Sequence, residues 1–137
     1  MKTVLLVEDD PNISLAYGVR LKAMGYTVHT AKDAVSAVSE VRKHQPDVVL
    51  LDISLPAGDG FVVAERVKNL VGAAATPIIF ITASNKPGLR ERAAALGAVG
   101  FLNKPFDATQ LANAIEVALY PGDNWHPEFA QAQGSAA

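Results

Sequence analysis

Four apolar residues in unbroken succession, Val48, Val49, Leu50 and Leu51, run into a single carboxylate at Asp52, and the turn-forming stretch Ser54-Leu55-Pro56-Ala57-Gly58-Asp59-Gly60 follows at once. An apolar run of this length, closed by turn residues, reads as a strand buried on both faces of a parallel sheet. Asp52 then emerges at the carboxyl edge of that sheet, the place where open α/β folds bind their ligands. The rest of the chain is expected to supply Asp52 with neighbours.

Strand-like and helix-like segments alternate five times. Residues 3–7 form the first strand, and a helix over about 11–24 carries Ile13, Tyr17, Leu21 and Met24 on one stripe before Gly25 stops it. Residues 26–31 make the second strand. The next helix has Ala34, Ala37, Val38 and Val41 at amphipathic spacing, and Gln45-Pro46 ends it ahead of the central strand at 47–52. A third helix over about 60–70 presents Phe61, Ala64 and Val67, and 77–82 is a second fully apolar strand. Leu89, Ala93 and Leu96 carry a fourth helix at about 87–96, followed by a short strand at 99–102. The last helix starts at Asp107-Ala108-Thr109-Gln110, a capping arrangement, and lines up Leu111, Ala114, Ile115 and Ala118.

This alternation specifies the α/β class: a flavodoxin-like three-layer (βα)5 sandwich with a parallel five-stranded sheet in the order 2-1-3-4-5 and right-handed crossovers. The domain is expected over residues 1–120. From Pro121 the pattern stops, so 121–137 reads as a C-terminal tail or linker stub, with Trp125 and Phe129 as candidate anchors. The whole chain of 137 residues is long enough for one real core. A net charge of -2 speaks against a polyanion binder, and the absence of cysteine removes disulfides and thiol nucleophiles. With no apolar stretch of membrane-spanning length and no signal-peptide pattern, a cytoplasmic domain is expected.

The polar residues just beyond each strand are Glu8, Asp9 and Asp10 after the first, Asp52 after the third, Thr82 after the fourth and Lys104 after the fifth. If the strand order holds, residues from nearly the whole chain converge on one spot. Carboxylates crowded there repel one another unless a cation compensates them, and Mg²⁺ suits a site of few carboxylates, waters and a phosphoryl group. Lys104 adds a point charge matched to a phosphate oxygen, and Thr82 a hydroxyl donor. Singly, each has a plainer role; Asp10, ahead of Pro11, is a ready helix N-cap.

Taken together, Glu8-Asp9-Asp10, Asp52 with Pro56, Gly58 and Gly60 behind it, Thr82-Ala83, and Phe101-Leu102-Asn103-Lys104-Pro105-Phe106 resemble the receiver domain of bacterial two-component response regulators. The resemblance covers about residues 2–120. It implies that Asp52 is the phosphoacceptor, attacking a phosphohistidine on a sensor histidine kinase or phosphotransfer protein. It further implies that Asp9 and Asp10 hold Mg²⁺ with Asp52 and the backbone carbonyl of Ser54, while Glu8 points away. Lys104 would pair with the phosphoryl group, and the Lys104-Pro105 bond is expected to be cis. Thr82 would swing towards a phosphoryl oxygen and Phe101 would turn inward as the switch. Phe101 stands where the family more often has tyrosine, and Ser54 and Ser84 stand where the family tunes acyl-phosphate hydrolysis. The surface of the fourth helix, fifth strand and fifth helix would report the switch to an unidentified protein target or to a second copy in a homodimer.

Two enzyme or cofactor readings fare worse. An Asp-nucleophile phosphatase wants a second aspartate where Ser54 stands, and a flavin site wants a phosphate-cradling loop where Glu8-Asp9-Asp10-Pro11 stands. Direct DNA binding and membrane association are not expected, and Arg90 and Arg92 read as a solvated face or part of a partner surface. The chain is expected to be a stand-alone receiver or one excised from a longer regulator, with no substrate apart from itself.

Overall fold

The computed structural model describes residues 1–56 and 58–121, so the segment 122–137, with Trp125 and Phe129, lies outside the described residues. The elements run β1 (Thr3–Val7), α1 (Pro11–Ala23), β2 (Thr27–Ala31), α2 (Ala34–His44), β3 (Val48–Asp52), α3 (Gly60–Lys68), β4 (Ile78–Thr82), α4 (Leu89–Ala95), β5 (Gly100–Asn103) and α5 (Ala108–Leu119). One sheet in the order β2-β1-β3-β4-β5 has every neighbouring pair parallel. The fold is the one the sequence specifies.

The continuous apolar strands follow from burial on two sides. All five residues of β3 and all five of β4 are buried. Alternate side chains divide between two cores. Leu5, Val7, Val49, Leu51 and Phe80 pack with Ala37, Val41, Phe61 and Val67 beneath α2, α3 and α4. Val4, Leu6, Leu50, Ile79 and Ile81 pack with Leu21, Leu111 and Ile115 beneath α1 and α5. Each such Leu or Ile contributes about 1.5–3 kcal/mol by leaving water. No solvated face is left on the central strands, and alternation in sequence would have been a defect.

Parallel register sets the functional edge. Val7 pairs with Leu51, Asp52 with Ile81 and Thr82 with Asn103, so the strands end side by side. Aspartates cap the helices that leave or flank this edge: Asp10 accepts from the N–H groups of Asn12 and Ile13, and Asp59 from that of Val62. Asp107 and Gln110 form the expected capping box, and Asp33 and Ser36 form another. Each cap is worth about 1 kcal/mol. Gly60 opens α3 against the backbone of β3, where a Cβ would collide with the carbonyl oxygen of Asp52. Only glycine permits that approach.

Candidate functional site

Asp52, Glu8 and Thr82 are the buried polar residues of the described chain, at 4%, 3% and 1% exposure. Two of them share one partner. The Lys104 ammonium donates to Glu8 Oε1 at 2.6 Å and to Asp52 Oδ2 at 2.7 Å. The backbone aims that lysine, because its N–H donates to the carbonyl of Thr82 at 2.7 Å, extending the β4–β5 ladder past the strand end. The Lys104–Pro105 peptide is cis, as expected. The other Asp52 oxygen, Oδ1, accepts from the Ser54 N–H at 2.9 Å, which folds the turn back over the carboxylate. Thr82 Oγ1 accepts from the Ser84 N–H at 3.0 Å.

The acidic cluster differs from the sequence expectation by one residue. Glu8, Asp9 and Asp52 each offer a carboxylate oxygen within 4.8 Å of the others. Glu8, expected to point away, is held at the sheet edge: its N–H donates to the carbonyl of Ala31 at 3.0 Å, prolonging the β1–β2 ladder. Its Oε2 also accepts from the Asp10 N–H at 3.2 Å. Asp10 is drawn out of the cluster by α1, its Oδ1 accepting from Asn12 and Ile13 at 2.8 and 3.2 Å. The acidic pair of the site is therefore Glu8 and Asp9, with Asp10 serving as a cap. The clue in the sequence was the distance from Val7: the first residue past a buried strand still belongs to the ladder, whereas the one before Pro11 belongs to the helix.

The charges explain themselves. Burial pushes the Glu8 carboxyl above its ordinary 4.5, reinforced by the Asp52 charge and opposed by hydrogen bonds from Lys104 and the Asp10 N–H. Burial disfavours the Lys104 ammonium too, but its hydrogen bonds to Asp52 and Glu8 outweigh it and leave the amine above its ordinary 10.5. The lysine stays charged. Ionised, three carboxylates against one ammonium leave the cluster short of two positive charges. An all-oxygen donor set with that deficit fits a hard divalent cation. Beside it opens a cleft of about 520 Å³ lined by Asp9, Ser54, Pro56, Ser84, Lys86 and Arg92.

Phe101 is already 3% exposed, set in the core opposite Phe80 in the β4–β5 register. The Arg90 guanidinium lies 4.8 Å over its ring, one of its terminal nitrogens buried without a hydrogen-bond partner among the described residues. Arg92 sits 4.2 Å over Phe61. Of the two arginines read from sequence as solvated or partner-facing, Arg92 is exposed while its guanidinium caps a ring, and Arg90 is half-buried over Phe101.

The response regulator receiver domain model matches residues 4–116. The DNA-binding dual master transcriptional regulator RpaA of Synechocystis is 31% identical over 119 residues, covering 87% of this chain and 49% of that protein. The chain spans about half the length of the curated relatives it matches. Among solved structures, the chemotaxis response regulator CheY4 of Vibrio cholerae aligns with a TM-score of 0.80 at 31% identity, covering 87% of this chain and 99% of that one. The receiver domain of the sensor histidine kinase PA1611 of Pseudomonas aeruginosa, solved with magnesium coordinated in its active site cleft, aligns at 0.79 with 29% identity over 86% of this chain and 97% of that one. With the strand order, the edge cluster and these likenesses in agreement, the chain belongs to the response regulator receiver domain family, the phosphorelay signalling module of two-component systems.

Proposed function

We propose that Asp52 accepts a phosphoryl group from a phosphohistidine on a sensor histidine kinase or phosphotransfer protein in the cytoplasm, and that this switches the α4–β5–α5 face. The observation that carries the reading is the Lys104 ammonium shared between Asp52 and Glu8 at the open edge of the sheet. An Asp52 oxygen attacks phosphorus, the P–N bond to the donor imidazole breaks, the electron pair returns to that ring, and a P–O bond makes the acyl phosphate. Glu8, Asp9 and Asp52, with the carbonyl of Ser54, would hold Mg²⁺, which supplies charge neutralisation for the phosphoryl oxygens. Lys104 then turns from Glu8 to the phosphoryl group as a point charge. Thr82 exchanges the Ser84 N–H for a phosphoryl oxygen.

The chain's own residues do this work on the chain itself, with no separate substrate, whether it acts alone or as a module of a longer regulator. Leu15 and Val19, exposed by 69% and 61% on α1, line one groove with Glu8 and Asp9 and give a phosphodonor domain an apolar footing. The output partner is a protein surface or a second copy of the chain. No helix among the described residues is long and apolar enough to cross a membrane. The test is intact mass after incubation with acetyl phosphate. One adduct that needs Mg²⁺ and disappears in Asp52→Asn supports the reading; a folded protein that stays unmodified contradicts it.

A further inference from the structure

Away from the acidic edge, His29 on β2 and Glu40 and His44 on α2 meet on the outer flank of the sheet. Glu40 and His44 are four residues apart and so share a helix face. Their side chains are 26% and 25% exposed, with His44 Nε2 3.3 Å from Glu40 Oε1. The His29 side chain reaches the same point from the edge strand, its ring 3.5 Å from that of His44 and only 10° from parallel. One donor atom from each of the three residues lies within 4.8 Å of the others.

We propose that His29, Glu40 and His44 form a second metal site, for a borderline transition ion such as Zn²⁺ rather than Mg²⁺. Two imidazole nitrogens and one carboxylate oxygen are the donors of an open zinc site, which leaves a fourth position for water. Mg²⁺ prefers oxygen alone and stays with the acidic edge. Tetrahedral bonds of about 2.0–2.1 Å set donors about 3.4 Å apart. The His44–Glu40 spacing already meets that, and the partly exposed imidazoles have room to slide from a stack into a convergent set. A bound ion ties β2, paired on one side only, to α2. The alternative is a helix ion pair beside a ring stack, which has no reason to select a metal.

The experiment uses the full chain without an affinity tag, in excess Mg²⁺ so that the acidic edge is occupied. Zn²⁺ affinity is read by competition with a chromogenic chelator, and ligand type by the visible bands of Co²⁺. His29→Gln and His44→Gln should each weaken the tightest Zn²⁺ site by at least about tenfold, the loss that even an outer-shell partner gives, and erase the Co²⁺ bands. His126→Gln should leave both unchanged. Glu40→Gln, on a partly exposed helix face, repeats the test should either histidine variant lose its native circular dichroism. Zn²⁺ bound no more tightly than Mg²⁺, or an affinity that survives His29→Gln and His44→Gln or falls in His126→Gln, overturns the site.

Discussion

Lys104 is the counterion of a buried acidic pair, Glu8 and Asp52. Removing it by Lys104→Ala leaves Glu8 and Asp52, both nearly inaccessible, without their shared partner. Breaking a buried ion pair by removing one partner costs about 3–5 kcal/mol. The variant should therefore unfold at lower urea in metal-free buffer, and Mg²⁺ should raise its midpoint more than it raises the wild type's. An equal Mg²⁺ response would deny the two cations a common role. Protons test the same pair. The Glu8 carboxyl holds its proton above the ordinary 4.5, and only the ionised form ligates a cation. Mg²⁺ affinity measured by calorimetry should start to fall, on lowering the pH, while still above that value. In metal-free protein the sign reverses for stability: the favourable contribution at Glu8 is present below 4.5 and is lost as pH rises through its raised value. Lys104 contributes below 10.5 and loses that contribution above its own raised value. At this scale the sequence revealed Asp52, Thr82 and Lys104 as strand-end residues. Glu8 and Asp10 were separable only by their spacing from Val7 and Pro11, a weaker cue than the carboxylate chemistry the three adjacent acids share.

Elements differ in how openly the sequence declares them. β3 and β4 are legible because burial on both faces forbids polar residues. α1 is blurred, since Leu15 and Val19 sit outside while Gly18 and Leu21 are the buried pair. Tyr17, expected in the core stripe, packs half-buried against that core, stacked on the buried Phe106 at 4.7 Å. α4 is shorter than 87–96 because Gly88, at φ 89°, lets the chain turn into the helix without a side-chain cap. The outward apolar pair on α1, Leu15 and Val19, is where the proposed phosphodonor would seat. Leu15→Asp and Val19→Asp should leave stability within about 0.5 kcal/mol, as surface changes do. They should slow phosphotransfer from a protein phosphohistidine while sparing the rate with acetyl phosphate. Equal loss with both donors would place the defect in the site itself.

Across the whole molecule, one sheet carries the acidic edge and both cores, and the packed side chains of Phe80, Phe101 and Ala93 are the route the proposed switch would take to α4 and β5. Phe101 bridges the two regions. It lies in the core beside Phe80 while the α4 residue Arg90 covers its ring. Phosphorylation should alter amide exchange in α4 and β5, with Asp52→Asn unchanged under the same treatment; exchange altered only around residues 52–60 would remove the output face from the account. The strand order was legible from the βα alternation, whereas the arginine cover of Phe101 was not, because cation–ring contacts leave no periodic trace.

In the proposed mechanism Asp52 alone receives the phosphoryl group. Borohydride reduces an aspartyl phosphate to homoserine, so peptide mapping after acetyl phosphate, Mg²⁺ and borohydride reads the modified position directly. Homoserine at residue 52 and nowhere else is the expected result. Homoserine at Asp9, Asp10 or Asp59 with Asp52 intact would contradict it.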